Sequence, residues 1–211
     1  MKKLESSITN MVVVLVAVAV ITGSLLAWVN QVTAGPIKQQ DELALANGIK
    51  SVMCLDKLEV TANDELTQNI GGKDYQFVIH KVNNDKGEFA GAAVESTTMG
   101  FGGELKVLVG FDAAGKILGY AVLQHAETPG LGAKADKWFQ ADGKGSIIGK
   151  TAAKPLTVNK DGGDIDAITA STITSRAFLK AVNQAYAVYA GQDDSASDGH
   201  SGASIQKKES K

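Results

Sequence analysis

The pattern of apolar and polar positions changes period along the chain, and each change marks an element. From Met11 to Val29 there is no charged residue, and Met11-Val-Val-Val-Leu-Val-Ala-Val-Ala-Val20 is apolar on every side. A helix needs about 20 such residues to cross the hydrocarbon core of a bilayer. Lys2 and Lys3 precede the run, and Trp28 stands near its far end, where an interfacial aromatic belongs. Positive residues stay on the cytoplasmic side. The pattern therefore predicts a cytoplasmic N-terminus (1–10), a transmembrane helix (11–29) and an extracytoplasmic remainder. Val32-Thr33-Ala34 would pass as a signal-peptide cleavage triplet, but the apolar run exceeds the roughly 7–15 residues of a signal core, which favours an uncleaved anchor.

Pro36 is expected to end the span. Residues 37–53 read as a second helix, with Leu43, Ala46, Ile49, Val52 and Met53 on one side. Short β-like runs follow at Leu58–Thr61, Tyr75–Ile79 and Phe89–Ser96, broken by Asn, Asp and Gly. Leu105–Phe111 and Ile117–Leu123 are the clearest strands, and Asp112-Ala-Ala-Gly115 between them predicts a hairpin. Trp138-Phe139 is expected in the core and 143–150 in a loop. Phe178, Val182, Ala185 and Tyr189 recur at spacings of three and four, the buried stripe of a helix. Residues 192–211 lack large apolar side chains apart from Ile205 and read as a disordered tail. The predicted class is α+β: one transmembrane helix, then an extracytoplasmic domain over 30–191 with an antiparallel sheet and flanking helices.

Composition narrows this picture. With 23 Gly and 3 Pro the chain suits a turn-rich domain, and a net charge of −2 supplies no field for nucleic acid. Cys54 is the sole cysteine, which excludes an intramolecular disulfide and any cysteine-held cluster. It is expected to be a small buried apolar residue.

Two stretches carry candidate chemistry. In Asp166-Ala-Ile-Thr-Ala-Ser-Thr-Ile-Thr-Ser175, five hydroxyls (Thr169, Ser171, Thr172, Thr174, Ser175) fall within seven positions at the mouth of the last helix. Ser and Thr are preferred caps there, and the same free amides form a site for a phosphate. Capping and phosphate binding are both open on this stretch alone. In His125-Ala-Glu-Thr-Pro-Gly-Leu-Gly132, Gly130 and Gly132 let a backbone approach a ligand and Pro129 stiffens the loop. His125 has no matching nucleophile and reads as a hydrogen-bonding or structural histidine. Glu127 suits backbone amides of its own turn or a functional contact.

Glu127-Thr-Pro-Gly-Leu-Gly132 followed by Asp166-x-x-Thr169-x-x-Thr172 resembles the covalent FMN-binding domain family, whose attachment motif is Asp-x-x-Ser/Thr-Gly-Ala-Thr. With the N-terminal span, Gly100-Phe-Gly-Gly103 and the opening Met1–Met11, the chain over 1–190 resembles the G subunits of Rnf ion-translocating electron transport complexes. The C subunit of the Na⁺-translocating NADH:quinone reductase is a related alternative, and a non-redox anchored binding module is a third. The resemblance implies FMN joined by a phosphoester to Thr172, with Ser171 and Thr174 as the alternative hydroxyls. It implies that a Mg²⁺-dependent flavin transferase using FAD installs it, and that the domain relays electrons among partner subunits between ferredoxin and NAD⁺ while Na⁺ or H⁺ is pumped. Asp166 would position the turn or the metal–flavin donor, Thr169 and Thr174 would hydrogen-bond the phosphate, and Ser171 and Ser175 would complete the hydroxyl set. Glu127, Thr128, Gly130, Leu131 and Gly132 would line the ring or ribityl chain. The chain departs from the motif at Ala170 and Ser171, which replace Gly and Ala. A methyl at 170 restricts any positive φ the turn requires.

Overall fold

A computed structural model describes residues 8–55, 58–70, 73–193 and 206–207. It divides into two compact units, Met1–Ala44 and Leu45–Lys211. The first contains most of α1 (Ile8–Met53), which is the one helix among the described residues long and apolar enough to cross a membrane. The apolar side chains of its hydrophobic stretch are unburied, as a lipid-facing helix requires.

Pro36 does not end the helix. It lies inside an unbroken α1. Proline removes one backbone donor, a local loss, whereas Lys38-Gln-Gln-Asp-Glu-Leu-Ala-Leu-Ala46 on its C-terminal side consists largely of strong helix formers. The buried side of this second half also differs from expectation. Leu43 is 59% exposed and Ala46 is exposed, while Gly48, Ile49, Val52 and Met53 are buried. The inward stripe belongs to the last turns of α1, which are part of the second unit and pack on its sheet. Cys54, expected to be buried, is exposed at the end of α1 in a left-handed conformation (φ 52°), its Sγ 3.6 Å from the Ser51 carbonyl.

The second unit is built on an antiparallel meander: β1 (Glu59–Ile70), β2 (Lys73–Asn83), β3 (Phe89–Met99), β4 (Glu104–Asp112) and β5 (Ile117–His125), in the order β5-β4-β3-β2-β1-β6. β6 (Gln206–Lys207) lies against Leu66 and Thr67 of β1; of the predicted tail over 192–211, residues 192–193 belong to the last helix and, β6 apart, the remainder lies outside the described residues. All five predicted strands are present. β1 is longer than its apolar signal because its polar half is carried by pairing with β2. At the hairpin, Asp112 Oδ1 accepts the Ala114 and Lys116 amides (2.9 and 2.8 Å), and Gly115 supplies the φ of +77° that closes the turn.

Strand alternation sends side chains to two faces. Phe77, Ile79, Val94, Val107, Val109 and Phe111 face the main core, which α3 (Thr172–Asp193) fills with the predicted Phe178, Val182, Ala185 and Tyr189. Val82, Ala93 and Leu108 face the last turns of α1. Gly110 and Gly119 are cross-strand partners there, and a Cβ on either would strike the Val52 backbone. Phe139 stacks on Phe178 (4.3 Å between centroids), Tyr120 meets Phe178 edge-on, and the buried Tyr120 hydroxyl donates to the Ala135 carbonyl (2.6 Å) and accepts the Phe139 amide. These contacts fix α2 (Ala135–Trp138) between β5 and α3.

A buried polar chain crosses the sheet on the α1 side. Glu95 accepts from His80 Nε2 (2.8 Å) on one oxygen and pairs with Lys106 on the other. Burial opposes its ionisation, but the His80 and Lys106 contacts together outweigh that and hold the Glu95 carboxyl below its ordinary value. A depressed folded-state value contributes stability above the ordinary carboxylate range, lost as pH falls through it. Urea denaturation should find Glu95→Gln destabilised by about 1–3 kcal/mol at pH 7. Its stability should also fall less steeply than wild type below about pH 4.5.

Candidate flavin site

The site begins with a carboxylate. Glu127, on the loop leaving β5, is buried, and its two oxygens serve different segments. Oε1 accepts the amides of Phe101 (2.7 Å) and Gly102 (3.3 Å) from the β3–β4 turn, while Oε2 accepts the hydroxyl of Thr174 (2.8 Å) in the first turn of α3. A Cβ on Gly100 or Gly132 would clash with this carboxylate, and one on Gly102 with the Ala126 carbonyl. The glycines at these positions are explained by close approach. Glu127 thus serves the amides of a distant turn rather than those of its own. Thr98, at the end of β3, donates to the Ala177 carbonyl (3.0 Å), which anchors the same end of α3 to the sheet.

The five hydroxyls separate by environment. Ser171 holds the N-cap position, since its carbonyl accepts the first helical bond from the Ser175 amide, and its side chain is buried. Ser175 Oγ donates to that carbonyl and accepts the Ile168 amide (both 2.9 Å), closing the turn from within. Thr174 is committed to Glu127. Thr169 is exposed before the helix. Thr172, the first residue of α3, is half-buried, and its Oγ1 accepts from Lys160 Nζ at 3.2 Å.

Asp166 is exposed and fixed at two points. Its carbonyl accepts the Trp138 indole N–H (2.8 Å), and its Oδ1 accepts the side-chain amide of Asn159 (2.7 Å). On the loop, Thr128 is exposed and its carbonyl accepts the Leu131 amide (3.1 Å). Gly130 adopts a φ of +77° in open space, and Leu131 remains 41% exposed. His125 has the expected hydrogen-bonding role, accepting the Glu127 amide at Nδ1 (3.2 Å). The geometry therefore joins Glu127, Gly132 and Thr174 directly. Asp166 and Thr172 are linked to a different segment, the one-turn 3₁₀ helix Asn159–Asp161.

Sequence reasoning missed Trp138, Asn159 and Lys160 as neighbours of the hydroxyl-rich turn. Asn159-Lys-Asp-Gly162 carries only an ordinary turn signal, and nothing in it marks the residues 7, 12 and 15 positions on that it binds.

Residues 1–52 match the RnfG N-terminal region and residues 100–187 match the FMN-binding domain. Over 176 residues the chain is 35% identical to the G subunit of the ion-translocating oxidoreductase complex of Shewanella baltica, covering 79% of this chain and 82% of that one. The corresponding protein of Stutzerimonas stutzeri is 31% identical over 195 residues, covering 90% and 81%. That of Vibrio parahaemolyticus is 46% identical over 101 residues, covering 46% and 47%.

The chain belongs to the family of G subunits of ion-translocating oxidoreductase complexes.

The departure at Ala170 now has a measurable consequence. Ala170 adopts a φ of +60°, the left-handed conformation that glycine takes without cost. The turn needs that conformation because it delivers the chain from the Ile168 carbonyl, bonded to the Ser171 amide, into the first turn of α3. In this member of the family the methyl stores strain at the hydroxyl-rich turn. Ala170→Gly should raise stability by about 0.5–1 kcal/mol in urea denaturation. Glu127→Ala should lower it by roughly 2–4 kcal/mol, because three donors lose one acceptor group. Glu127→Gln, which keeps one oxygen, should fall between wild type and Glu127→Ala.

Proposed function

We propose that this chain carries FMN as a phosphoester on the Thr172 hydroxyl, as the membrane-anchored flavoprotein subunit of an ion-translocating oxidoreductase complex. The observation that carries the assignment is the contrast among the hydroxyls. Thr174 and Ser175 are buried and engaged in internal hydrogen bonds, and Ser171 is buried. Thr172 combines access to solvent with a place at the first turn of a 22-residue helix. Free amides there and the positive end of the helix dipole favour the remaining phosphate charge.

The surroundings suit a flavin. Phe101 is 69% exposed, Ile173 52% and Leu131 41%, and each is, or adjoins, a residue packed against Glu127 or bonded to it. Exposed apolar residues at or next to the contacts of one carboxylate offer a seat for the apolar edge of the ring system. Gly130, with nothing within 4 Å of its missing Cβ, leaves room beside it. FMN supplies the one- and two-electron redox chemistry, and linkage through its phosphate leaves the ring free to be tuned by protein contacts.

In this reading α1 holds the chain in the cytoplasmic membrane, with its N-terminus inside and the FMN domain outside. A Mg²⁺-dependent flavin transferase installs the cofactor from FAD. The tether then keeps the flavin at a high effective concentration for its partner subunits, where a free one would diffuse away. The complex passes electrons between ferredoxin and NAD⁺ while moving Na⁺ or H⁺, and this chain is its carrier rather than an independent catalyst.

Thr172→Val, co-expressed with a flavin transferase and digested after denaturation, should yield no flavin-bearing peptide while its far-UV spectrum matches wild type. A flavin peptide of wild-type yield would move the attachment to Ser171 or Thr174.

A further inference from the structure

Three consecutive residues reach the hydroxyl-rich segment from one turn. Asn159 Nδ2 donates to Asp166 Oδ1 (2.7 Å), Lys160 Nζ donates to Thr172 Oγ1 (3.2 Å), and Asp161 binds the guanidinium of Arg176 through both oxygens (2.6 and 2.7 Å). Their partners lie six residues before, at, and four residues after the candidate hydroxyl. The turn is itself held from behind, since the Asn159 amide donates to the Ile165 carbonyl (2.8 Å) and Val158 is buried beside Ile165.

We infer that the Asn159–Asp161 turn is a clamp on the flavinylation site, and that Lys160 is the residue that faces the FMN phosphate. This rests on Thr172 being the attachment hydroxyl. The two flanking contacts engage the neighbouring carboxylates. Asp161 gives its carboxylate to Arg176, which holds that carboxyl below its ordinary value and satisfies the guanidinium. Asp166 keeps its charge and accepts from the neutral side-chain amide of Asn159. The Lys160 ammonium is left facing the Thr172 oxygen.

An ammonium there has two consequences. Before transfer it occupies a lone pair of Oγ1 and sets the orientation of the hydroxyl. During transfer the Oγ1–phosphorus bond to the FMN phosphate forms as the phosphorus–oxygen bond to AMP in FAD breaks. AMP leaves with that bond's electron pair, and the hydroxyl proton passes to solvent. A cation beside the oxygen that becomes part of a phosphodiester stabilises the charge of the transferring group. Arginine can replace lysine in that role, and methionine, of similar length, cannot.

The test has two arms, both on the full chain. In the first, FMN incorporation from FAD by a flavin transferase is followed by mass after denaturation. Lys160→Met should be slowed by at least about tenfold relative to wild type, with Lys160→Arg restoring most of the rate. Lys160 is exposed, so thermal unfolding of both variants should match wild type. Equal rates in all three would overturn the inference. The second arm needs no flavin. Phosphothreonine is encoded at position 172 and its second ionisation is followed by phosphorus NMR. With Lys160 present it should titrate below the usual value of about 6, and Lys160→Met should return it there. Identical titrations would overturn the inference even if flavin attaches. A lowered titration with no flavin attachment would sustain the phosphate clamp and refute the flavin reading.

Discussion

The buried carboxylate of Glu127 is the interaction on which the site depends. It is the point where three chain-distant segments meet: the β3–β4 turn through the Phe101 and Gly102 amides, the loop after β5, and the first turn of α3 through Thr174. A buried acceptor that lost those donors would be costly, so the contact is closely specified. That specification explains the glycines around it. Gly100 and Gly132 sit where any side chain would strike the carboxylate. Three exposed apolar residues, Phe101, Leu131 and Ile173, are, or adjoin, residues in contact with the same group. With Glu127 fixed, the mouth of α3 is fixed, and Thr172 stands at its first residue.

A second set of contacts orients that mouth from the other side. Trp138 binds the Asp166 carbonyl, and the Asn159–Asp161 turn holds Asp166, Thr172 and Arg176. The hydroxyl-rich turn is clamped between two frames, and it contains the one non-glycine residue of that segment in a left-handed conformation, Ala170. Strain at a functional turn persists only where its surroundings over-determine it, and both frames provide that here.

Much of this was legible in the residues. The stripe Phe178, Val182, Ala185 and Tyr189, the Asp112–Gly115 hairpin and the apolar run of α1 are local signals, and each is present as read. The errors were local signals overruled by context. Pro36 breaks isolated helices, yet strong helix formers continue α1 past it. Leu43 and Ala46 fit a helical stripe, yet burial begins only at Gly48, in the turns that pack on the sheet. Cys54 had the chemistry of a buried residue but falls at a left-handed helix end. The environment of the hydroxyls was beyond the sequence, because Thr174 is bonded to Glu127, 47 residues upstream, and only the fold brings that loop to it. The Lys160–Thr172 contact was equally invisible, since a lysine in a turn ordinarily faces water.

The most direct test of the account is the intact mass of the wild-type chain after exposure to FAD and a flavin transferase, measured under denaturing conditions that strip any non-covalent ligand. The account predicts a gain of one FMN less one water, absent from the chain made without the transferase. An unchanged mass would contradict it and leave the hydroxyls at the mouth of α3 as a helix cap.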